Sequence, residues 1–290
     1  MSADKDGQRL DNFLLRELGL PRTRIYRLIR KGEVRVNKGR AKPLTRLAEG
    51  DEVRIPPITE SVNTTAAQPP EGMLAQLRQA LVAESVGLKI VNKPSGWASQ
   101  PGTGVRWSLV ELAHAVWGKS WQPAHRLDRA TSGCLAVVEG RAGMQAFTEA
   151  DWTKTYRALV HGSWQGPKTQ LWEDHLERGA GGRVECVPPG QGKLARLQAR
   201  LRVQHAGWAE IELQLETGRM HQIRVQAASR GLPLIGDDRY GSRSSDRRLQ
   251  AQGRPRLALH AWRLQGVWQG QELHATASLP AEWGDFPLFE

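Results

Sequence analysis

The chain has 290 residues, a net charge of +11 and an ordinary apolar fraction of 39%. That length exceeds what one compact core usually needs, so two domains are expected, and the composition excludes fibrous and disordered classes. The basic excess speaks of partners: a polyanion is expected, with nucleic acid ahead of a membrane.

The opening residues, "MSADKDGQRLDNF", carry no signal pattern, and no stretch approaches the ~18 apolar residues of a membrane-spanning helix. "QRLDNFLLREL" places Leu10, Phe13, Leu14 and Leu18 at helical spacing. In "PRTRIYRLIRKGEVRVN", Pro21 suits a helix start, Ile25, Leu28 and Ile29 form an apolar stripe, and Gly32 suits the end. Arg22, Arg24, Arg27, Arg30 and Lys31 occupy mostly the remaining face. Such a face often only meets solvent. Here Lys and Arg outnumber Asp and Glu by 14 to 8 through residue 58, which favours a phosphate-facing surface. "VRVN" and "DEVRI" alternate like short strands. Residues 1–58 thus read as a small N-terminal α+β domain with a phosphate-facing surface, 59–75 as a polar, Pro-containing linker, and 76–290 as a second domain.

In the second domain "LKIVNKPSG", "CLAVVEG" and "KTYRALVHG" read as strands. "RLQARLRV" and "WAEIELQL", joined by "QHAG", read as a hairpin with Leu197, Ala199, Leu201 and Val203 on one face and Ala209, Ile211, Leu213 and Leu215 matching them. "GRMHQIRVQAASRG" reads as a helix with Met220, Ile223 and Ala227 on a stripe, and "RLALHAWRL" and "QELHATASL" as two late strands. "ERGAGGRVECVPPGQGK" and "GDDRYGSRSSDRRLQAQGRPR" read as long loops, the second a basic patch with Arg239, Arg243, Arg247, Arg248, Arg254 and Arg256. The expected class is α+β, with a largely antiparallel mixed sheet flanked by helices and loops.

Several chemistries lack their signatures. No GxxxxGK[ST] or GxGxxG loop, no CxxC, no HExxH and no GxSxG elbow occurs, so neither a metal nor a cofactor is expected. The two cysteines, Cys134 and Cys186, are too few for a disulfide framework, and a cytoplasmic protein is expected. In "PAHRLDRATSGCLAVV", Asp128 lies between Arg126 and Arg129. Opposite charge favours the anion, and an ionised carboxylate can attack an electrophilic carbon. On these residues alone, an ion pair that fixes a loop is the stronger reading. Tyr156, and the group Arg219, His221 and Arg224, are each weak signals when taken singly.

Together these segments resemble the RluA-type family of pseudouridine synthases. "HRLDRATSG" is similar to its signature, "LKIVNKPSGWASQPG" to its Lys-Pro-x-Gly motif, "KTYRALVHG" to its Lys-x-Tyr strand, and "TGRMHQIRVQAASRGLPLIGDDRYG" to its Gly-Arg-x-His-Gln-x-Arg motif, in the family's order. "QRLDNFLLRELGLPRTRIYRLIRKGEVRVN" resembles the alpha-L RNA-binding domain. Ala130 and Trp97 depart from the usual residues, and Trp97 would alter what sits beside the target base. The resemblance implies that Asp128 is the nucleophile toward a uridine, that Arg224 pairs with it, and that Tyr156 stacks on the uracil. It implies no cofactor. Arg126 would fill the space left by an unstacked base, and Arg129, Arg219 and His221 would serve RNA or the loop. His125 would fix the loop, with Thr131, Ser132 and Gly133 shaping the turn. The expected partner is RNA, in particular large-subunit ribosomal RNA or an assembling ribosomal particle, without a membrane or an obligate protein partner. A transfer RNA substrate and a non-catalytic ribosome-assembly factor are the alternatives. A carboxylate glycosidase would want a second paired carboxylate, which no segment supplies.

Overall fold

The computed structural model describes residues 7–18, 20, 22–57, 68–102, 104–241 and 257–283. Pro21, the linker portion 59–67 and the arginines at 243, 247, 248, 254 and 256 lie outside the described residues, as does the side chain of Arg22. The chain divides into two compact units, Met1–Ala67 and Gln68–Glu290.

In the first unit, helices α1 (Leu10–Leu18) and α2 (Arg22–Lys31) precede short strands β1 (Arg35–Val36), β2 (Gly39–Arg40) and β3 (Val53–Arg54), which form a sheet in the order β2-β1-β3. Leu10, Phe13 and Leu14 pack on Ile25, Ile29, Val34 and Leu47, so the two helical stripes make the core. Gly32, at φ 74°, lets the chain leave α2 in the left-handed conformation.

The second unit runs α3 (Glu71–Gln79), β4 (Leu81–Ser85), β5 (Leu88–Lys93), α4 (Leu109–Trp117), β6 (Trp121–Pro123), β7 (Ser132–Glu139), α5 (Gly140–Glu149), β8 (Trp152–His161), β9 (Thr169–Arg178), β10 (Val184–Val187), β11 (Lys193–His205), β12 (Trp208–Leu215), α6 (Gln222–Ser229), β13 (Leu259–Trp268) and β14 (Gln271–Thr276). Among the described residues these strands form one sheet with the path β10-β9-β11-β12-β8-β13-β7-β5-β4, with β14 on β13 and β6 on β7. Its ladders are antiparallel except β7–β13, where Ser132 faces His260 and Gly133 faces Ala261. The class is α+β with a mixed, mostly antiparallel sheet, as the patterning implied. Leu135 and Val137 of β7 feed one core cluster, with α3, α4 and α6, while Cys134, Ala136 and Val138 feed a second with Phe147 and Trp268. Burial on both faces explains the unbroken apolar run "CLAVV".

The structure corrects four local expectations. Residues 71–75, read as linker, begin α3, because Leu74 and Leu77 are buried against the sheet. The hairpin stripe holds only to Leu201: a bulge between Leu201 and Val203 sets Val203 opposite Glu210, and its side chain emerges exposed. Within "ERGAGGRVECVPPGQGK", Val184–Val187 is strand β10, whose Val184 is buried against Val225. Finally, α6 starts only at Gln222. The Gln222 side-chain oxygen accepts from the Thr217 hydroxyl (2.9 Å) and the Arg219 N–H (3.0 Å), folding residues 217–221 into a turn that leaves Met220 exposed rather than on a helical stripe.

Candidate active site

The loop between β6 and β7 carries Asp128, and much of its hydrogen bonding runs to the segment after β5. Lys93 is fully buried, and its ammonium donates to the carbonyls of Pro94 (2.9 Å), Trp97 (2.9 Å) and Arg129 (3.3 Å). Burial pushes it down to about 7, while nearby Asp128 pulls it back up. The Gly96 N–H donates to the Arg129 carbonyl at 2.8 Å, and the Arg129 Nε returns a bond to the Gly96 carbonyl at 2.9 Å. The Ser95 hydroxyl donates to Ala130 O, and the Ser99 hydroxyl donates to Leu127 O and accepts from Leu127 N–H. Residues 93–99 and 127–130 therefore form a single body. The sequence alone assigns Lys93 no role, because an Nζ against three carbonyls has no local pattern to announce it.

Two further features fix the loop. His125 Nε2 accepts the Ala136 N–H at 3.1 Å and its ring stacks on Phe147. Burial pushes this imidazole down to about 3, so it is a neutral acceptor that holds the loop, as inferred. Gly133, the second residue of β7, has φ 108°, and a Cβ there would lie 2.2 Å from the Ala261 carbonyl oxygen. The close crossing of β7 and β13 needs a residue without a side chain.

Above this loop lies a cleft of about 210 Å³, lined by Arg126, Leu127, Asp128, Tyr156, Met220, Ile223 and Leu259 among others. Asp128 is 23% exposed. Its Oδ2 lies 3.5 Å from Arg224 Nη1 and 3.6 Å from His221 Nε2. Among the described residues, no hydrogen bond engages Oδ1. The carboxylate thus has one oriented oxygen and one free oxygen. Tyr156 comes from the middle of β8, paired with Leu213 and Ala261, and is nearly buried. Burial first, and the Asp128 charge second, raise its phenol above the ordinary value, so it stays protonated. Its ring and the flanking Leu127, Ile223 and Leu259 suit a flat heteroaromatic ring.

Arg224 departs from expectation in its main partner. Its Nε and Nη2 grip Asp237 at 2.8 and 2.7 Å, both groups being buried, and the longer contact goes to Asp128. Burial alone would raise the Asp237 carboxyl. The Arg224 guanidinium and the N–H groups of Arg239 and Tyr240 outweigh that and hold it below the usual range. Asp237 and Tyr240 lie in "GDDRYG", and sequence reasoning assigns them no role.

The remaining expected residues divide. Arg126 is exposed on the cleft rim. Arg129 is exposed but tied back to Gly96. Arg219 is exposed, with Nε donating to Leu194 O at 2.8 Å. His221 faces Asp128 from a left-handed backbone at φ 53°. Trp97 packs against the main core and does not line the cleft. In the first unit, Arg24, Arg27 and Lys31 line a groove with Leu28, Glu33, Pro56 and Pro57, while Arg30 is exposed on the same helix.

Comparison with known proteins gives concordant matches. The family described as RNA pseudouridylate synthase matches residues 87–229, and the S4 domain matches residues 8–53. The "Ribosomal large subunit pseudouridine synthase C" of Yersinia pestis is 40% identical over 90% of this chain and 84% of its own length. That of Haemophilus influenzae is 37% identical over 96% and 90%, and that of Escherichia coli K12 is 38% identical over 90% and 85%. Two human structures, "RNA Pseudouridylate Synthase Domain Containing 1" (TM-score 0.57, 24% identity, 69% of this chain and 83% of that one) and "Domain Containing 4" (TM-score 0.58, 21% identity, 72% and 92%), share the fold.

Proposed function

The chain belongs to the RNA pseudouridylate synthase family, with an S4 domain ahead of the catalytic one, and from that premise we propose that it isomerises uridines of large-subunit ribosomal RNA with Asp128 as the nucleophile. The single observation that carries this role is the division of labour within one carboxylate that lines the cleft: Oδ2 faces Arg224 and His221, and Oδ1 has no hydrogen-bond partner among the described residues.

In the reaction, Oδ1 bonds to a carbon of the uridine and the glycosidic C1′–N1 bond breaks. The base turns, C1′–C5 forms, the C5 proton leaves, N1 gains a proton, and the carboxylate is released. Arg224, 3.5 Å from Asp128 Oδ2, aims the carboxylate and offers it a counter-charge when the base excludes water. Tyr156, held protonated, stacks on the uracil rather than acting as a base at neutral pH. A uridine in folded RNA must first be unstacked, at a cost of roughly a few kcal/mol, and Arg126 on the rim is placed to fill the gap. The basic groove on α2 supplies sequence-independent attraction to phosphates. An assembling ribosomal particle is the proposed substrate form, and the cytoplasm the proposed site of action, a setting in which the free thiols Cys134 and Cys186 persist.

Pseudouridine mapping of total RNA, with and without the gene and with an Asp128→Asn copy restored, tests this reading. Loss of sites in large-subunit ribosomal RNA, not restored by the variant, is expected. Loss confined to transfer RNA would move the substrate, and an unchanged map would favour a non-catalytic assembly factor.

A further inference from the structure

His221 contacts its neighbours through both ring nitrogens. Nε2 lies 3.6 Å from Asp128 Oδ2, and Nδ1 lies 2.9 Å from the Tyr240 hydroxyl. A neutral imidazole carries one proton, and the hydrogen bond at one nitrogen decides which nitrogen holds it. The imidazole of His221 is held below its ordinary value by burial, and by Arg224 and Arg239, against the opposing pull of Asp128 and Asp237.

The Tyr240 hydroxyl accepts the Val184 N–H at 3.0 Å. Having one proton to give, it donates to Nδ1, since no other acceptor meets it among the described residues. The proton of His221 then sits on Nε2 and points at Asp128, an acceptor only. The opposite tautomer fails at both ends: it sets a lone pair against the carboxylate and leaves the Tyr240 proton without an acceptor. Tyr240 is itself firmly set. Its N–H donates to Asp237 Oδ1 at 2.9 Å, and its ring lies beneath the guanidinium groups of Arg183 and Arg224, each 5.2 Å from the centroid.

We propose that Tyr240 is a positioning residue that fixes the tautomer of His221, so that the Nε2–H faces Asp128 and helps aim the carboxylate. The hydroxyl meets Asp128 only through His221, and Tyr240 is not among the residues that line the cleft. This inference rests on Asp128 as the nucleophile.

The test uses the full chain with Tyr240→Phe, His221→Gln and the double variant. Long-range proton–nitrogen spectra of the imidazole are expected to show protonated Nε2 in the wild type and a mixture of tautomers in Tyr240→Phe. In that variant kcat should fall by ~10-fold or more while KM stays within about twofold. Glutamine offers an amide N–H where Nε2 stands and has no tautomer to set, so adding Tyr240→Phe to His221→Gln should cost under about twofold in kcat, although any loss of Tm from the unpaired Val184 N–H persists. An equal kcat loss in both backgrounds, or an Nε2–H spectrum unchanged in Tyr240→Phe, overturns the proposal. The spectra report on Tyr240 without reference to turnover, whereas activity in Asp128→Asn would overturn the nucleophile reading alone.

Discussion

Arg224 clasps Asp237 with two hydrogen bonds of 2.7 and 2.8 Å, and reaches Asp128 only at 3.5 Å. The guanidinium is therefore anchored by one carboxylate and presented to another. Asp237→Asn is expected to leave Arg224 with only its longer contacts to Asp238 (3.3 Å) and Asp128 (3.5 Å), lowering stability by ~3 kcal/mol and reducing kcat. Denaturant melts and turnover on the same preparation check both. The Asp237 carboxyl has a folded pKa below its unfolded value of ~3.9. Its stabilising contribution is thus complete above about pH 4 and is lost as the pH falls through the folded value, and the variant should lack that acid limb.

Asp128→Asn keeps the size of the side chain and removes the nucleophile. Turnover should fall by ~10⁴ or more, with RNA affinity within a few-fold of wild type. Hydrogen release from C5-labelled uridine, alongside a binding isotherm, separates the two quantities.

Lys93→Met retains the length of the stem but takes the Nζ donor from the carbonyls of Pro94 and Trp97 and leaves that of Arg129 with the Gly96 N–H alone. A loss of about 2–4 kcal/mol is expected, together with a kcat defect exceeding any change in KM, because Arg129 is the neighbour of Asp128. A variant as stable and active as wild type would show that the clamp is dispensable.

Replacing Arg27, Arg30 and Lys31 by Gln should flatten the dependence of log affinity on log salt. Each phosphate that the variant no longer neutralises lowers the slope by roughly 0.7–0.9. An unchanged slope would return this face of α2 to ordinary solvated surface.

Gly133→Ala adds a Cβ 2.2 Å from Ala261 O at a backbone φ of 108°. Strain of more than ~3 kcal/mol is expected, visible as a large fall in Tm or as insoluble protein.

The sequence displayed what is local. The stripes of α1 and α2, the β11–β12 hairpin as far as Leu201, and the acidic residue at the strand start all follow from spacing within a dozen residues. The bulge after Leu201 left no compositional trace, and neither did the back-folded Gln222 side chain that delays α6. The candidate site was legible as a set of residues but not as a circuit. Asp128, Tyr156, Arg224 and His221 do converge on one cleft, whereas the anchor of Arg224 thirteen positions along the chain, and the support of Lys93 beneath the loop, are facts of tertiary geometry.

The two-residue parallel seam between β7 and β13 joins Ser132 to His260, 128 positions apart. Strand β13 also completes the ladder beside Tyr156. The reaction centre therefore closes only when the distal strand has left the ribosome and docked, a high-contact-order event on the slow side of folding. A nascent or truncated chain ending before residue 259 carries every candidate catalytic side chain and still lacks the wall that sets them in place, so activity begins only once β13 has been made and docked.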